Sequence, residues 1–105
     1  MAIQKIDFMQ AKQLMDDGNC VLLDVREEEE YRAGHASDAV LLPVGRISSD
    51  TAAECIPDSQ TAVLLYCRTG RRSKLAAKKL DSLGYERLYD LGGLFGWPYG
   101  MEYGI

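Results

Sequence analysis

Three near-continuous apolar runs of strand length constrain this chain more than any other feature: "CVLLDV" (20–25), "AVLLPV" (39–44) and "TAVLLYC" (61–67). Strands with one wet face alternate apolar and polar residues, whereas strands covered on both faces read as unbroken apolar runs. "ERLYDL" (86–91) is a weaker fourth strand, and "IQKIDF" (3–8) adds a short edge strand. Between them the pattern is helical. Asp7 with Gln10 forms a capping-box signature for a helix running to Asp17, with Gly18 as its stop. "EEEEYRAG" (27–34) is a short helix whose acids sit at the positive end of its dipole. "GRISSDTAAECI" (45–56) is a further helix. From Ser73, residues Ala76, Ala77, Leu80 and Leu83 keep one helical face apolar until Gly84 closes it. Strands alternating with helices imply an α/β fold, a parallel sheet flanked by helices on both faces. With 105 residues, the chain is expected to form one domain over 1–105.

Several classes of function are excluded early. No apolar run approaches the roughly 20 residues that span a bilayer. "MAIQKIDFMQ" lacks the basic start and apolar core of a secretory signal, so a cytoplasmic protein without membrane contact is expected. A net charge of −4 argues against a general nucleic-acid binder. Cys20, Cys55 and Cys67 are odd in number and widely spaced, with no C-x-x-C pair, and the single histidine, His35, is distant from all three. Neither a zinc site nor a disulfide framework fits that pattern, so no metal is expected and the thiols are free.

One thiol stands apart. In "LLYCRTGRRSKLAAKKL" (64–80), Cys67 ends the longest apolar run and is followed by Arg68, Arg71 and Arg72. From Asp58 to Asp81 the intervening residues carry six positive charges and no negative one, while the remainder of the chain carries −10. A local basic site on an acidic protein points to a small anionic substrate. The turn "CRTGRRS" must join a strand to a helix within a few residues, so its N–H groups converge on one centre. The first N–H groups of a helix lack intrahelical acceptors and carry the positive end of the dipole. Gly70 permits the tight curvature. Helix N-termini and neighbouring arginines both lower a cysteine pKa, so Cys67 is expected to be a nucleophilic thiolate at neutral pH.

Two chemistries compete for such a thiolate. Cysteine phosphatases use C-x5-R, in which the loop arginine clamps phosphate oxygens, but that place is Ser73 here. The arginine comes one position early, at Arg72, and the shorter loop encloses too little space for a tetrahedral phosphate. A single sulfur atom added to the cysteine fits better. Phosphatase or arsenate reductase chemistry is therefore disfavoured.

The chain resembles the single-domain rhodanese family. "LLDVREEEEYRAGHASDAVLLP" (22–43) looks like the family's first signature, "VLLYCRTGRRS" (63–73) like its active-site loop, and "LYDLGGLFGWPYG" (88–100) like its C-terminal signature. The resemblance implies a three-layer fold with a parallel sheet of about five strands, and sulfurtransferase activity with no cofactor. It implies that Cys67 attacks the outer sulfur of thiosulfate, releases sulfite and holds a persulfide. That sulfur then passes to cyanide, a thiol or a protein acceptor. On the same grounds the N–H groups of Arg68, Thr69, Gly70, Arg71, Arg72 and Ser73 form the substrate cradle, and Arg72 with Arg71 holds the sulfonate. The alternative within this chemistry is a relay module that takes persulfide from a donor protein.

The remaining candidates have structural readings. His35 matches the family's G-H pair and takes a structural role, since attack by an ionised cysteine needs no base. Asp24 and Arg26 are expected to pair at a strand end and fix the loop there. Glu27–Glu30 is a solvated helix start, with partner docking as its functional alternative. Cys20 and Cys55 pack inertly, and Trp97 with Tyr99 forms a C-terminal cap. The two glycines before that cap would let it approach the rim of the site.

Overall fold

A computed structural model describes residues 3–104. Five parallel strands form the central sheet in the order β1-β6-β5-β2-β4. They are β1 (Ile3–Lys5), β2 (Cys20–Asp24), β4 (Val40–Leu41), β5 (Ala62–Cys67) and β6 (Arg87–Gly93). The helices are α1 (Phe8–Asp17), α2 (Glu28–Ala33), α3 (Ser49–Cys55) and α4 (Arg71–Ser82). A second, two-stranded sheet pairs β3 (His35–Ala36) antiparallel with β7 (Met101–Glu102). No helix among the described residues is long and apolar enough to cross a membrane.

The fully apolar reading of β5 has a direct consequence in packing. All six of its residues are buried. Val63, Leu65 and Cys67 face one core with Ile56, Ala76, Ala77 and Leu80, residues at or in α3 and α4. Ala62, Leu64 and Tyr66 face the other, with Ala11 of α1 and with Leu91, Leu94 and Trp97. The period-two alternation of a strand thus divides one apolar run between two cores. Cys67 is the last residue of the strand and points to the α4 side.

The capping box at Asp7 forms as expected: Gln10 N donates to Asp7 Oδ1 at 2.8 Å and Asp7 N to Gln10 Oε1 at 2.9 Å. Among the boundaries that differ from the sequence reading, three have a clear physical cause. The run 39–44 yields only Val40–Leu41 as strand, followed by a single 3₁₀ turn at Val44–Arg46. Leu42 and Val44 still donate to Asp24 O and Val25 O at 2.9 and 3.0 Å, but Pro43 has no N–H to offer. As an edge strand, it leaves Val40 exposed rather than covered on both faces. The helix expected over 45–56 begins at Ser49, because Ser48 accepts from Thr51 N and serves as its cap. Finally, α4 opens at Arg71, two residues before Ser73, because Gly70 takes the left-handed conformation (φ 97°) and starts the helix at once. The short β3–β7 pair had no signal in the sequence, being two residues per strand.

Candidate active site

The junction of β5 and α4 is built by three glycines. Gly70 turns the chain, and a Cβ there would meet Gly92 Cα at 3.4 Å. A Cβ on Gly93 would lie 2.6 Å from Arg68 O. The end of β6 therefore has to be bare for the loop after Cys67 to lie against it. The glycine pair itself packs against the loop from within β6, and the cap that follows reaches the rim through Leu94, Phe95 and Trp97, which line a cleft with Arg68 and Thr69.

Around the sulfur the loop supplies donors. Gly70 N donates to Cys67 Sγ at 2.9 Å. Arg71, Arg72 and Ser73 occupy the first turn of α4, where N–H groups have no intrahelical acceptor. Burial pushes the Cys67 thiol up, but hydrogen bonds from Ser73 and from the Gly70 and Thr69 N–H groups outweigh it and bring the pKa below the usual thiol value. Hydrogen bonds to the charged form are the direct cause. Cys20 and Cys55 receive no such donors, and burial leaves both raised. Only one of the three thiols has an environment that favours the thiolate.

Beneath the loop lies a residue that the sequence reading missed. Asp90 of β6 is buried, and its Oδ1 accepts from Ser73 Oγ at 2.7 Å and from Gly92 N at 2.8 Å. It links the first turn of α4 to the glycine pair of β6. The available signal was an acid inside an otherwise apolar strand end, separated by Leu91 alone from two glycines. The sheet register shifts at the same place: Leu65 pairs with Asp90, but Tyr66 pairs with Gly92.

The arginines separate into two kinds. Arg72 Nη1 and Nη2 donate to Glu30 Oε1 and Oε2 at 2.6 and 2.9 Å, a bidentate pair from α4 to α2. The Arg72 hydrogen bonds hold the Glu30 carboxyl down to about 2. Arg68 and Arg71 are exposed and have no carboxylate within ion-pair distance among the described residues. Arg68 and Thr69 line a cleft of about 470 Å³ with Arg26, Leu94, Phe95 and Trp97. The run Glu27–Glu30 is thus not uniformly solvated: Glu27, Glu28 and Glu29 are exposed, while Glu30 is a half-buried partner of the active-site loop.

Asp24 and Arg26 pair as expected, and more extensively. Arg26 Nε donates to Asp24 Oδ1 at 2.9 Å, and Nη2 donates to Asp24 Oδ2 at 2.6 Å and to Gly34 O at 2.7 Å. Tyr66 Oη donates to the same Oδ2 at 2.7 Å and accepts from Ala36 N at 3.1 Å. His35 is buried, stacked on Tyr31 at 3.6 Å, with Nδ1 donating to Tyr31 O at 2.8 Å. It holds α2 to β3 and lies outside the loop. Trp97 is buried edge-on between Phe8 and Tyr99, which makes the cap a packing element.

Comparison with known proteins agrees with this geometry. Residues 8–98 match the Rhodanese-like domain family. The thiosulfate sulfurtransferase PspE of Escherichia coli is 33% identical over 72 residues, covering 69% of this chain and 68% of that protein. Thiosulfate sulfurtransferase 18 of Arabidopsis thaliana is 29% identical over 102 residues, covering 87% and 74%. The adenylyltransferase and sulfurtransferase uba4 of Ogataea parapolymorpha is 31% identical over 90% of this chain, which spans only 24% of that protein. Among solved structures, an E. coli rhodanese with anions superposes at a TM-score of 0.73 and 30% identity, covering 80% of this chain and 98% of that one. The Alr3790 protein from Anabaena superposes at 0.84 and 25% identity, over 95% and 93%. A thiol ringed by loop N–H groups at the end of a parallel strand, and a family match across nearly the whole chain, lead to one conclusion: the chain belongs to the rhodanese-like domain family.

Proposed function

We propose that this chain, acting as one domain over 1–105, is a sulfurtransferase that carries sulfane sulfur as a persulfide on Cys67. The observation that supports it most is the loop around the sulfur, with Gly70 N on Sγ and the first turn of α4 turned toward it. The thiolate attacks the outer sulfur of thiosulfate: Cys–S⁻ + S–SO₃²⁻ gives Cys–S–S⁻ + SO₃²⁻. The new S–S bond takes up the outer sulfur, and sulfite leaves with the electron pair of the broken bond. Cyanide then takes that sulfur as thiocyanate and restores the thiolate, or a thiol takes it as a persulfide. An uncharged hydropersulfide donor reacts in the same sense: Cys–S⁻ + R–S–SH gives Cys–S–SH + R–S⁻. The loop N–H groups of residues 68–73 cradle the transferred sulfur. Arg68 and Arg71 draw the anion in, and Arg72 reaches a bound sulfonate by exchanging its partner Glu30. The reaction needs reduced thiols, so a reducing compartment such as the cytoplasm suits it.

A relay reading is favoured by a separate observation. Phe95, at the rim of the cleft beside the loop, is 99% exposed, and Met101 and Tyr103 are exposed at the mouth too. An apolar rim of this kind suits a protein donor or acceptor better than a small ion. Under this reading, thiosulfate turnover is slow while sulfur loads readily from a protein persulfide.

Intact mass after incubation with thiosulfate tests the common core of both. The native chain should gain one sulfur atom that cyanide removes, and Cys67→Ser should gain none. Sulfur retained by Cys67→Ser would remove Cys67 as the carrier. Absence of loading from thiosulfate and from persulfide donors alike would end the sulfurtransferase reading.

A further inference from the structure

We infer that Glu30 sets how strongly this site discriminates between doubly charged and uncharged sulfur donors, by holding the Arg72 guanidinium in a bidentate pair. The inference rests on the sulfurtransferase reading for its substrates, but its electrostatic content can be measured without it.

Four arginines surround the mouth of the loop, and two are neutralised within the fold. Arg26 is matched by buried Asp24, through two nitrogens at 2.6–3.1 Å. Arg72 is matched by Glu30 through two nitrogens at 2.6 and 2.9 Å. Arg68 and Arg71 alone carry charge with no carboxylate partner among the described residues. Arg72 sits in the first turn of α4, next to the sulfur, where the two charges attract. A carboxylate fixed on that guanidinium takes away attraction that a dianion would otherwise receive in full. An uncharged hydropersulfide loses nothing by the same arrangement.

Glu30 is also built to compete for that guanidinium against an incoming anion. Its Oε1 accepts from Glu27 N at 3.1 Å as well as from Arg72, so the carboxylate is tied to the start of α2. Both side chains of the pair are about 70% buried, being 31% and 30% exposed. A fixed bidentate carboxylate competes with a second anion far better than a mobile surface one. Its neighbour Glu29 has the same charge, is exposed and makes no ion pair among the described residues. The two residues therefore offer a matched comparison: the same charge change, with and without the contact to Arg72.

Cys67 alkylation by iodoacetate, an anion, and by iodoacetamide, its neutral counterpart, measures the field at the sulfur. Rates are followed by mass on the Cys67 peptide so that Cys20 and Cys55 do not contribute. The iodoacetate-to-iodoacetamide rate ratio should rise roughly threefold to tenfold in Glu30→Gln, as expected for releasing one unit charge close to the reacting atom. Glu29→Gln should leave it unchanged. In parallel, the thiosulfate concentration giving half-maximal sulfur loading should fall by a similar factor in Glu30→Gln, with loading from an uncharged alkyl hydropersulfide unaltered. Glu30→Ala gives a second neutral variant, and thermal melts confirm that each folds. A ratio unchanged in both Glu30 variants, or raised equally in Glu29→Gln, overturns the proposal. So does an unchanged thiosulfate requirement in a variant that loads sulfur. Failure of the native chain to load from any donor would instead strike the sulfurtransferase reading, and the alkylation ratio would still decide the role of Glu30.

Discussion

Ser73 carries more than its place in a motif implies. Its hydroxyl has one proton and two oxygen acceptors, Asp90 Oδ1 at 2.7 Å and Gly70 O at 3.1 Å. The shorter contact is to the carboxylate, and a charged acceptor makes the stronger bond. The Ser73 N–H is the foremost of the donors that lower the Cys67 pKa. Ser73→Ala keeps the N–H and removes the hydroxyl, leaving Asp90 with Gly92 N alone. Without its tie to Asp90 the first turn of α4 holds the Ser73 N–H less firmly against the sulfur, which destabilises the charged form, so the Cys67 pKa moves up. The midpoint of the pH profile for iodoacetamide alkylation should therefore shift to higher pH in Ser73→Ala. A profile that stays in place would mean that the N–H groups alone hold the thiolate.

At the scale of elements, the site depends on how closely the loop and β6 approach. The 2.6 Å between Arg68 O and a Cβ on Gly93 is closer than real Cβ contacts, and the obstacle is backbone rather than a movable side chain. Gly93→Ala must push the loop away from β6, and overpacking of this kind costs about 1–3 kcal/mol. The loss should appear in thermal melts, and sulfur loading on Cys67 should fall at least tenfold because the displaced residues are those proposed as the cradle. A variant with native stability and native loading would show that the loop tolerates the extra methyl. On the opposite side of the site, α2 is six residues long and has no buried residue of its own. Its position rests on the Glu30–Arg72 pair, on Tyr31 Oη donating to Ala39 O at 2.7 Å, and on the Tyr31–His35 stack.

Across the whole molecule, Tyr66 joins the two halves of the architecture. Its side chain lies in the core opposite Cys67, fully buried, and its hydroxyl bonds Asp24 of β2 and Ala36 of β3 at once. Burial, followed by the bond to Asp24, pushes its pKa up, so it stays a neutral donor at any working pH. Arg26 closes the same network over Gly34, bringing the start of the β3–β7 sheet to the central one. Tyr66→Phe preserves the ring but orphans the Ala36 N–H and removes one donor to buried Asp24. Leaving a buried group unsatisfied costs about 1–3 kcal/mol. A lowered Tm with the Cys67 alkylation rate unchanged is the expected result, because Tyr66 lies on the opposite face of β5 from Cys67 and its hydroxyl bonds neither the loop nor α4. Equal loss of both would show that the two cores communicate.

The alternation of strands and helices, the parallel sheet and a setting at Cys67 that favours the thiolate were legible in the sequence, because each depends on local pattern. An unbroken apolar run identifies a strand covered on both faces, and a cysteine between that run and a glycine-turned helix start lies in a ring of N–H groups. Even so, local pattern misjudged the run 39–44, where an edge position and Pro43 decide the outcome. It also gave Glu27–Glu30 a single solvated character. That Glu30 finds Arg72 across 42 residues, that Asp90 lies beneath Ser73, and that Gly93 must be bare for Arg68 O are facts of adjacency. Periodicity and propensity act along the chain, whereas charge and close packing act through space. Only the folded sheet brings α2, the loop and β6 to one point, and so only the tertiary structure decides which of the arginines is free.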